Sequence, residues 1–281
     1  MTTALSRRPR RGLALTISAA TASLLLAACG SSDTKAGTTT ADGITLVKPG
    51  QLTVCTHLPY KPFQYKEGSK VVGFDVDLLD GLAKELGVKQ EIFDIEFQQI
   101  WSGAAFAAKK CDLGAAGMTI TDKRKQTIAF STPYFDATQA LIVKAGSPYK
   151  DLPDLKGKKV GVQTETTGLD YANSKAKELG YTVVVFDDLA LEMNAVKSGR
   201  VDAAINDNGV VLDFAKDNKD TAVTKEFSTG EQYGVGAKKD DANATKLLAK
   251  LNASLAKAKS DGSYNAMYKK WFGTEPGKLG S

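Results

Sequence analysis

The sequence predicts an α/β protein of two doubly wound lobes joined by a two-stranded hinge. Three observations carry this. Short β-rich runs alternate with amphipathic stretches from residue 52 onward, the alternation occurs twice, and extended runs lie between the halves and after the second. In the first half, residues 52–55 read as a strand and 75–86 as a helix with Leu78, Leu79, Leu82, Ala83 and Leu86 on one face and Gly87 as its stop. A strand is expected at 92–97, a small-residue helix at 99–109 and a third strand at 112–116. The second half repeats this rhythm: strand 159–162, helix 168–179 ended by Gly180, strand 182–186, helix 189–198 ended by Gly199 and strand 202–205. Even the entries to the third strands match, KKCDLGAA against GRVDAAIN. Such alternation implies parallel sheets covered by helices on both faces. Residues 136–143 and 232–237 are the extended crossings, and a helix with Leu247, Leu248, Leu251 and Leu255 on its stripe precedes a last aromatic segment through Tyr264, Tyr268, Trp271 and Phe272.

The expected organisation is therefore a leader at 1–28, a flexible tether at 29–43, lobe one at 44–138, lobe two at 139–232 and a return to lobe one at 233–281. The leader combines basic RRPRR at 7–11 with an apolar run at 12–26, too short to span a bilayer. It ends Leu26-Ala27-Ala28-Cys29, which resembles a bacterial lipobox, so Cys29 is the expected lipidation site and mature N-terminus. Residues 30–43 contain no large apolar side chain and read as a leash. This places the protein on the extracytoplasmic face of the cell membrane, held by buried acyl chains. The formal net charge of +5 is a property of the leader: Arg7, Arg8, Arg10 and Arg11 are the only charges before position 29, and the rest carries one more base than acid. That balance argues against nucleic-acid binding. One His and three Cys argue against a zinc site, and no metal or cofactor is expected.

In open α/β sheets the ligand crevice lies beyond the carboxyl ends of the strands. That rule selects residues 56–63, 117–124, 163–168 and 206–208. Arg124 offers a planar fork of donors suited to a carboxylate, and Asp207 offers acceptors for an ammonium. Thr119, Thr166 and Thr167 supply hydroxyls, a helix start near Gly168 presents N–H groups, and Tyr60, Phe63, Phe97 and Trp101 are candidate apolar walls. Opposite charges on opposite lobes suit a zwitterion of α-amino acid type. Each residue also has a bland role open to it. Asp207 could cap helix 208–217, Thr166 or Thr167 could cap helix 168–179, Tyr60 and Phe97 could be core, Arg124 a surface residue and His57 a solvated loop residue.

The stretch GFDVDLLDGLAKEL at 73–86 resembles the characteristic segment of bacterial extracellular solute-binding proteins of the polar amino acid class, family 3. Tyr60-Lys61-Pro62-Phe63, the run 117–124 (GMTITDKR), FSTPY at 130–134 and GRVDAA at 199–204 match in order, and the likeness spans residues 46–272. The resemblance implies a periplasmic-binding-protein-like fold of type II that closes on an amino acid and delivers it to the permease subunits of an ABC importer, as a monomer without catalysis. It implies Arg124 for the α-carboxylate and Asp207 for the α-ammonium. It also implies Thr119 and the carbonyl of Gly117 in the site, Thr166 and Thr167 as carboxylate donors, and Tyr60 as an aromatic wall. There are two departures. His57 stands where members with basic ligands often carry an acid, and 97–112 is longer than the usual spacing, leaving the second wall open between Phe97 and Trp101. A cyclohexadienyl (prephenate or arogenate) dehydratase on the same fold is the alternative, with Glu165 as its acid. Cys55 ends one predicted parallel strand and Cys111 precedes the next; about four residues of strand, on the order of 13 Å, separate them. That distance favours free thiols over a bridge.

Overall fold

A computed structural model describes residues 39–280. The leader 1–28, the lipidation site Cys29 and most of the 29–43 tether lie outside the described residues. The described end of that tether is not a leash: the Thr40 amide donates to the Ile44 carbonyl at 2.8 Å, and Thr40 itself is buried.

The first sheet orders its strands β4-β1-β5-β12-β6, with β1 Gln51–Thr56, β4 Lys89–Asp94, β5 Leu113–Gly114, β6 Ile128–Phe130 and β12 Gly236–Lys238. Two short strands, β2 Tyr65–Glu67 and β3 Lys70–Val72, form a separate hairpin that the sequence reading omits. Helix α1, Phe74–Glu85, follows Gly73, whose φ of +143° and approach to the Phe63 carbonyl admit no side chain; a Cβ there would lie 2.0 Å from that oxygen. The expected helix 99–109 is two short helices, α2 Phe97–Trp101 and α3 Ala104–Ala107, divided at Gly103, which sits at φ +81°. Helix α4 is the single turn Asp122–Lys125.

The second sheet runs β11-β7-β10-β8-β9. Its strands are β7 Phe135–Lys144, β8 Lys159–Gln163, β9 Thr182–Phe186, β10 Ala203–Asp207 and β11 Thr221–Tyr233. Helices α5 Thr167–Leu179, α6 Leu189–Ser198 and α7 Asn208–Asp217 connect them, and α8 Ala242–Asp261 and α9 Ser263–Phe272 close the chain. Capping follows the sequence signals. Thr166 and Asp188 accept the amides of Leu169 and Leu191, and Gly180 and Gly199 end α5 and α6 in the left-handed region. The apolar stripe of α8 is buried at Leu247, Leu248, Leu251 and Leu255.

Neither sheet is purely parallel, contrary to the expectation from alternation. β12 runs antiparallel to β5 and β6, while β7 runs antiparallel to β10 and β11. The antiparallel strands are those by which the chain passes between the sheets, and they arrive without the crossover helix that enforces parallel pairing. The strand expected at 92–97 is β4, displaced toward the N-terminus, and the run 232–237 is divided between the end of β11 and the start of β12.

The expectation of free thiols is overturned. Cys55 and Cys111 form a disulfide with a Cα–Cα distance of 5.7 Å. A separation of about 13 Å holds only for a strand that runs straight back from its start through residue 111. Strand β5 instead begins only at Leu113, paired with Val54, and the chain reaches it from α3 through Lys109 at φ +52°. Cys111 therefore belongs to the helical layer packed with Ile100, Ala105 and Phe106, the same cluster that receives Cys55. Asp112 secures this entry by accepting the Thr53 amide at 2.8 Å and the Val47 amide at 2.7 Å. A Cys55→Ser, Cys111→Ser variant should lose roughly 2–5 kcal/mol of stability in denaturant titration; an unchanged midpoint under oxidising conditions would contradict the bridge.

Candidate functional site

The carboxyl ends of the parallel strands converge on one cavity between the two sheets. β1 leads to His57 and Tyr60, β4 to Phe97, β5 to Gly117 and Thr119, β8 to Thr166 and Thr167, and β10 ends in Asp207. Arg124 lies in the turn of α4, whose start is capped by the Thr121 hydroxyl accepting the Arg124 amide. His57, Tyr60, Phe97, Gly117, Thr119, Arg124, Thr166, Thr167 and Asp207 line this cavity, with Gln64, Ala116 and Gln163, enclosing about 340 Å³ counted to its open mouth, whereas Phe63 lies in the core instead. Phe97 is a wall and Trp101 is not among the lining residues.

Arg124 is 5% exposed, and its guanidinium is held by carbonyls rather than acids. Nη1 donates to the Thr119 carbonyl at 2.9 Å and Nη2 to the Glu165 carbonyl at 3.0 Å, across the cleft. The Phe97 ring centre lies 5.0 Å from its central carbon. Burial lowers its pKa, opposed by the charges of Asp207 and Glu231. Five donors with two fixed on carbonyls leave hydrogen-bonding capacity for an anion.

Asp207 precedes α7 but makes no side-chain cap there. Its carboxylate accepts from the Tyr60 hydroxyl at 2.8 Å, from the Tyr233 hydroxyl and from Nε2 of Gln139. Burial, and then the charge of Glu231, push its pKa up to about 6, against the pull of those donors. Beside it, the Asn206 amide donates at 2.7 Å to Glu192, which burial raises to about 8. Gly117 presses its backbone onto the Tyr60 ring at φ +56°, where a Cβ would stand 2.6 Å from a ring carbon. Its amide donates at 3.0 Å to Asp75, a buried acid that desolvation raises to about 7.

The hydroxyls are less free than the sequence suggests. Thr166 donates to the Gln163 carbonyl at 2.7 Å and accepts the Leu169 amide, so its side chain is spent on capping α5. Thr167 donates at 2.9 Å, and Thr119 at 3.2 Å, to the same carboxylate oxygen of Glu231. By helix geometry the amides of Thr167 and Gly168 remain as the donors of that turn. At another part of the lining, Nδ1 of His57 lies 3.0 Å from the Ile95 carbonyl, which places a proton on Nδ1. Nε2 of His57 and Oε1 of Gln64 and Gln163 are buried without a hydrogen-bond partner among the described residues.

Gln139, Glu231 and Tyr233 are absent from the sequence reading. They lie on β7 and β11, inside antiparallel crossing strands that the strand-end rule does not reach. The one available signal was their polarity within a crossing segment.

The model of bacterial extracellular solute-binding proteins, family 3, matches residues 52–274, and the chain belongs to that family. It is 36% identical over 212 residues to the ABC transporter glutamine-binding protein GlnH of Bacillus subtilis, covering 74% of this chain and 75% of that one. Among solved structures it resembles an ancestral arginine-binding protein bound to arginine, with 42% identity, TM-score 0.73, and 79% and 98% of the two chains covered. It also resembles the ancestral amino acid-binding protein AncCDT-1, a precursor of cyclohexadienyl dehydratase, with 36% identity, TM-score 0.73 and coverage of 79% and 96%.

The raised acids give two opposite expectations. Asp207 loses its charge as pH falls through about 6, so cation binding at that carboxylate should weaken roughly tenfold between pH 7 and 5. Asp75, Asp207 and Glu192 bind protons more tightly folded than unfolded, so the ligand-free protein should gain stability as pH falls from 8 to 5. Denaturant midpoints that rise with pH over this window would contradict the second expectation.

Proposed function

We propose that this protein captures one L-amino acid in the cleft, closes its lobes over it and presents it to an ABC importer at the extracytoplasmic face, tethered through a lipid on Cys29. The observation that carries the reading is the separation of charge. A buried guanidinium, Arg124, is bonded only to carbonyls, while a buried carboxylate, Asp207, sits at the end of a strand in the other sheet. A small zwitterion satisfies both at once. Because it bridges the lobes, it has a stronger interaction with the closed form than with the open one.

The side chain of that amino acid ends in a guanidinium or a carboxamide. Support comes from two buried, unpartnered amide oxygens of residues that line the cavity, Gln64 Oε1 and Gln163 Oε1, which reward a donor-rich group and carry no formal charge. The similar proteins named for glutamine and arginine point the same way. The boundaries proposed for the lobes are 44–138 with 233–281, and 139–232.

Capture without turnover is favoured over dehydration. Glu165, the acid the dehydratase reading needs, is not among the lining residues and contributes its backbone carbonyl to Arg124. Incubation with prephenate or arogenate should leave both unchanged.

A thermal-shift screen of the twenty amino acids tests the reading. L-arginine or L-glutamine at a thousandfold excess over Kd should add about 4 kcal/mol of stability, on the order of 10 °C for a domain of this size. Arg124→Ala and Asp207→Asn should each weaken that binding at least about 100-fold. A screen in which no amino acid shifts the midpoint would contradict the proposal.

A further inference from the structure

Thr119 and Thr167 stand on opposite sides of the cleft and resemble ready donors for a carboxylate, yet both hydroxyls are already directed elsewhere. Each donates to Oε2 of Glu231, at 3.2 and 2.9 Å. The placement of Glu231 is set by backbone. The register of β11 against β7 shifts between Phe227 and Glu231, and the end of β11 is then pinned to the segment carrying Thr119. Ile120 donates to the Gln232 carbonyl at 2.8 Å, and Gly234 to the Met118 carbonyl at 3.0 Å. The same Oε2 of Glu231 also receives Nε2 of Gln139 at 3.0 Å, and Oε1 receives it at 3.2 Å; this amide serves Asp207 as well and lies 3.4 Å from the Thr167 hydroxyl oxygen.

An ionised carboxylate only accepts hydrogen bonds, and a hydroxyl has one proton. With Glu231 holding the protons of Thr119 and Thr167, those oxygens, 3.4 Å from each other and with Nε2 of Gln139 3.4 Å from Thr167, keep only lone pairs to offer a guest. Lone pairs attract an ammonium and repel a carboxylate.

We infer that Glu231 is a positioning residue for the amino group of the captured amino acid. By taking both hydroxyl protons it converts Thr119 and Thr167 into acceptors that join Asp207 around the ammonium. The carboxylate is left to Arg124 and the first amides of α5. This deepens the function proposed above and rests on it.

A double-mutant cycle tests it, with L-arginine and L-glutamine as probes in calorimetric titration of the wild type, Glu231→Gln, Thr119→Val and the double variant. Glutamine at 231 keeps the shape but can donate as well as accept, so Glu231→Gln should weaken binding by about tenfold. In the Thr119→Val background the same change should weaken it clearly less, because part of its route to the ligand is gone. A second measurement uses 5-guanidinopentanoate and glutaramate, which lack the amino group. Glu231→Gln should alter their affinities less than about twofold, whereas a purely structural role would weaken amino acid and analogue alike. Full additivity in the cycle, equal losses for the analogues, or tighter amino acid binding by Glu231→Gln would each overturn the inference. Tighter binding would mean that Glu231 competes with the ligand's carboxylate. A wild type that binds neither L-arginine nor L-glutamine would instead contradict the proposed function itself.

Discussion

One amide holds the floor of the cleft together. Asp207 and Glu231 are two acids whose charges act on each other, and both lie against Nε2 of Gln139, a side chain with no exposure to solvent. Burial and the neighbouring charge of Glu231 drive Asp207 toward protonation. The two N–H groups of a single carboxamide relieve this, because one can point to each carboxylate. Gln139 sits on β7, so this relief depends on the strand that crosses between the sheets. Tyr60 and Tyr233 complete the arrangement, since burial and the charge of Asp207 keep both phenols protonated and therefore able to donate.

The opposite pole is built on different terms. A buried guanidinium is costly unless its donors are met, and here carbonyls of Thr119 and Glu165 meet two of them without neutralising the charge. An acid in direct contact would satisfy Arg124 fully and leave little for a guest. Carbonyls fix its orientation and preserve its positive field, the condition for binding an anion strongly. The Glu165 carbonyl belongs to the turn before α5, so Arg124 already links the two lobes.

Much of this is legible in the sequence. The two-lobed α/β fold followed from hydrophobic rhythm and glycine stops. The rule that ligands meet strand ends gathered His57, Tyr60, Gly117, Thr119, Arg124, Thr166, Thr167 and Asp207, which share one cavity with the candidate wall Phe97. What escaped lies where the rule has nothing to say. Gln139 and Glu231 lie within crossing strands whose antiparallel pairing the alternation did not announce. The Cys55–Cys111 bridge is hidden from strand spacing because β5 has only two residues, and the residue before so short a strand no longer obeys that spacing. Hydroxyl polarity at Thr119 and Thr167 could not be read from residue type at all, since a threonine donates or accepts according to its neighbour.

The central claim is that Arg124 and Asp207 address the two ends of one small molecule. A crystal structure of the protein grown with L-arginine or L-glutamine tests this most directly. The account requires the α-carboxylate within about 3 Å of the Arg124 guanidinium and the α-ammonium within about 3 Å of an Asp207 oxygen in the same molecule. An amino acid found in the cleft with its ammonium turned away from Asp207, or its carboxylate away from Arg124, would contradict it.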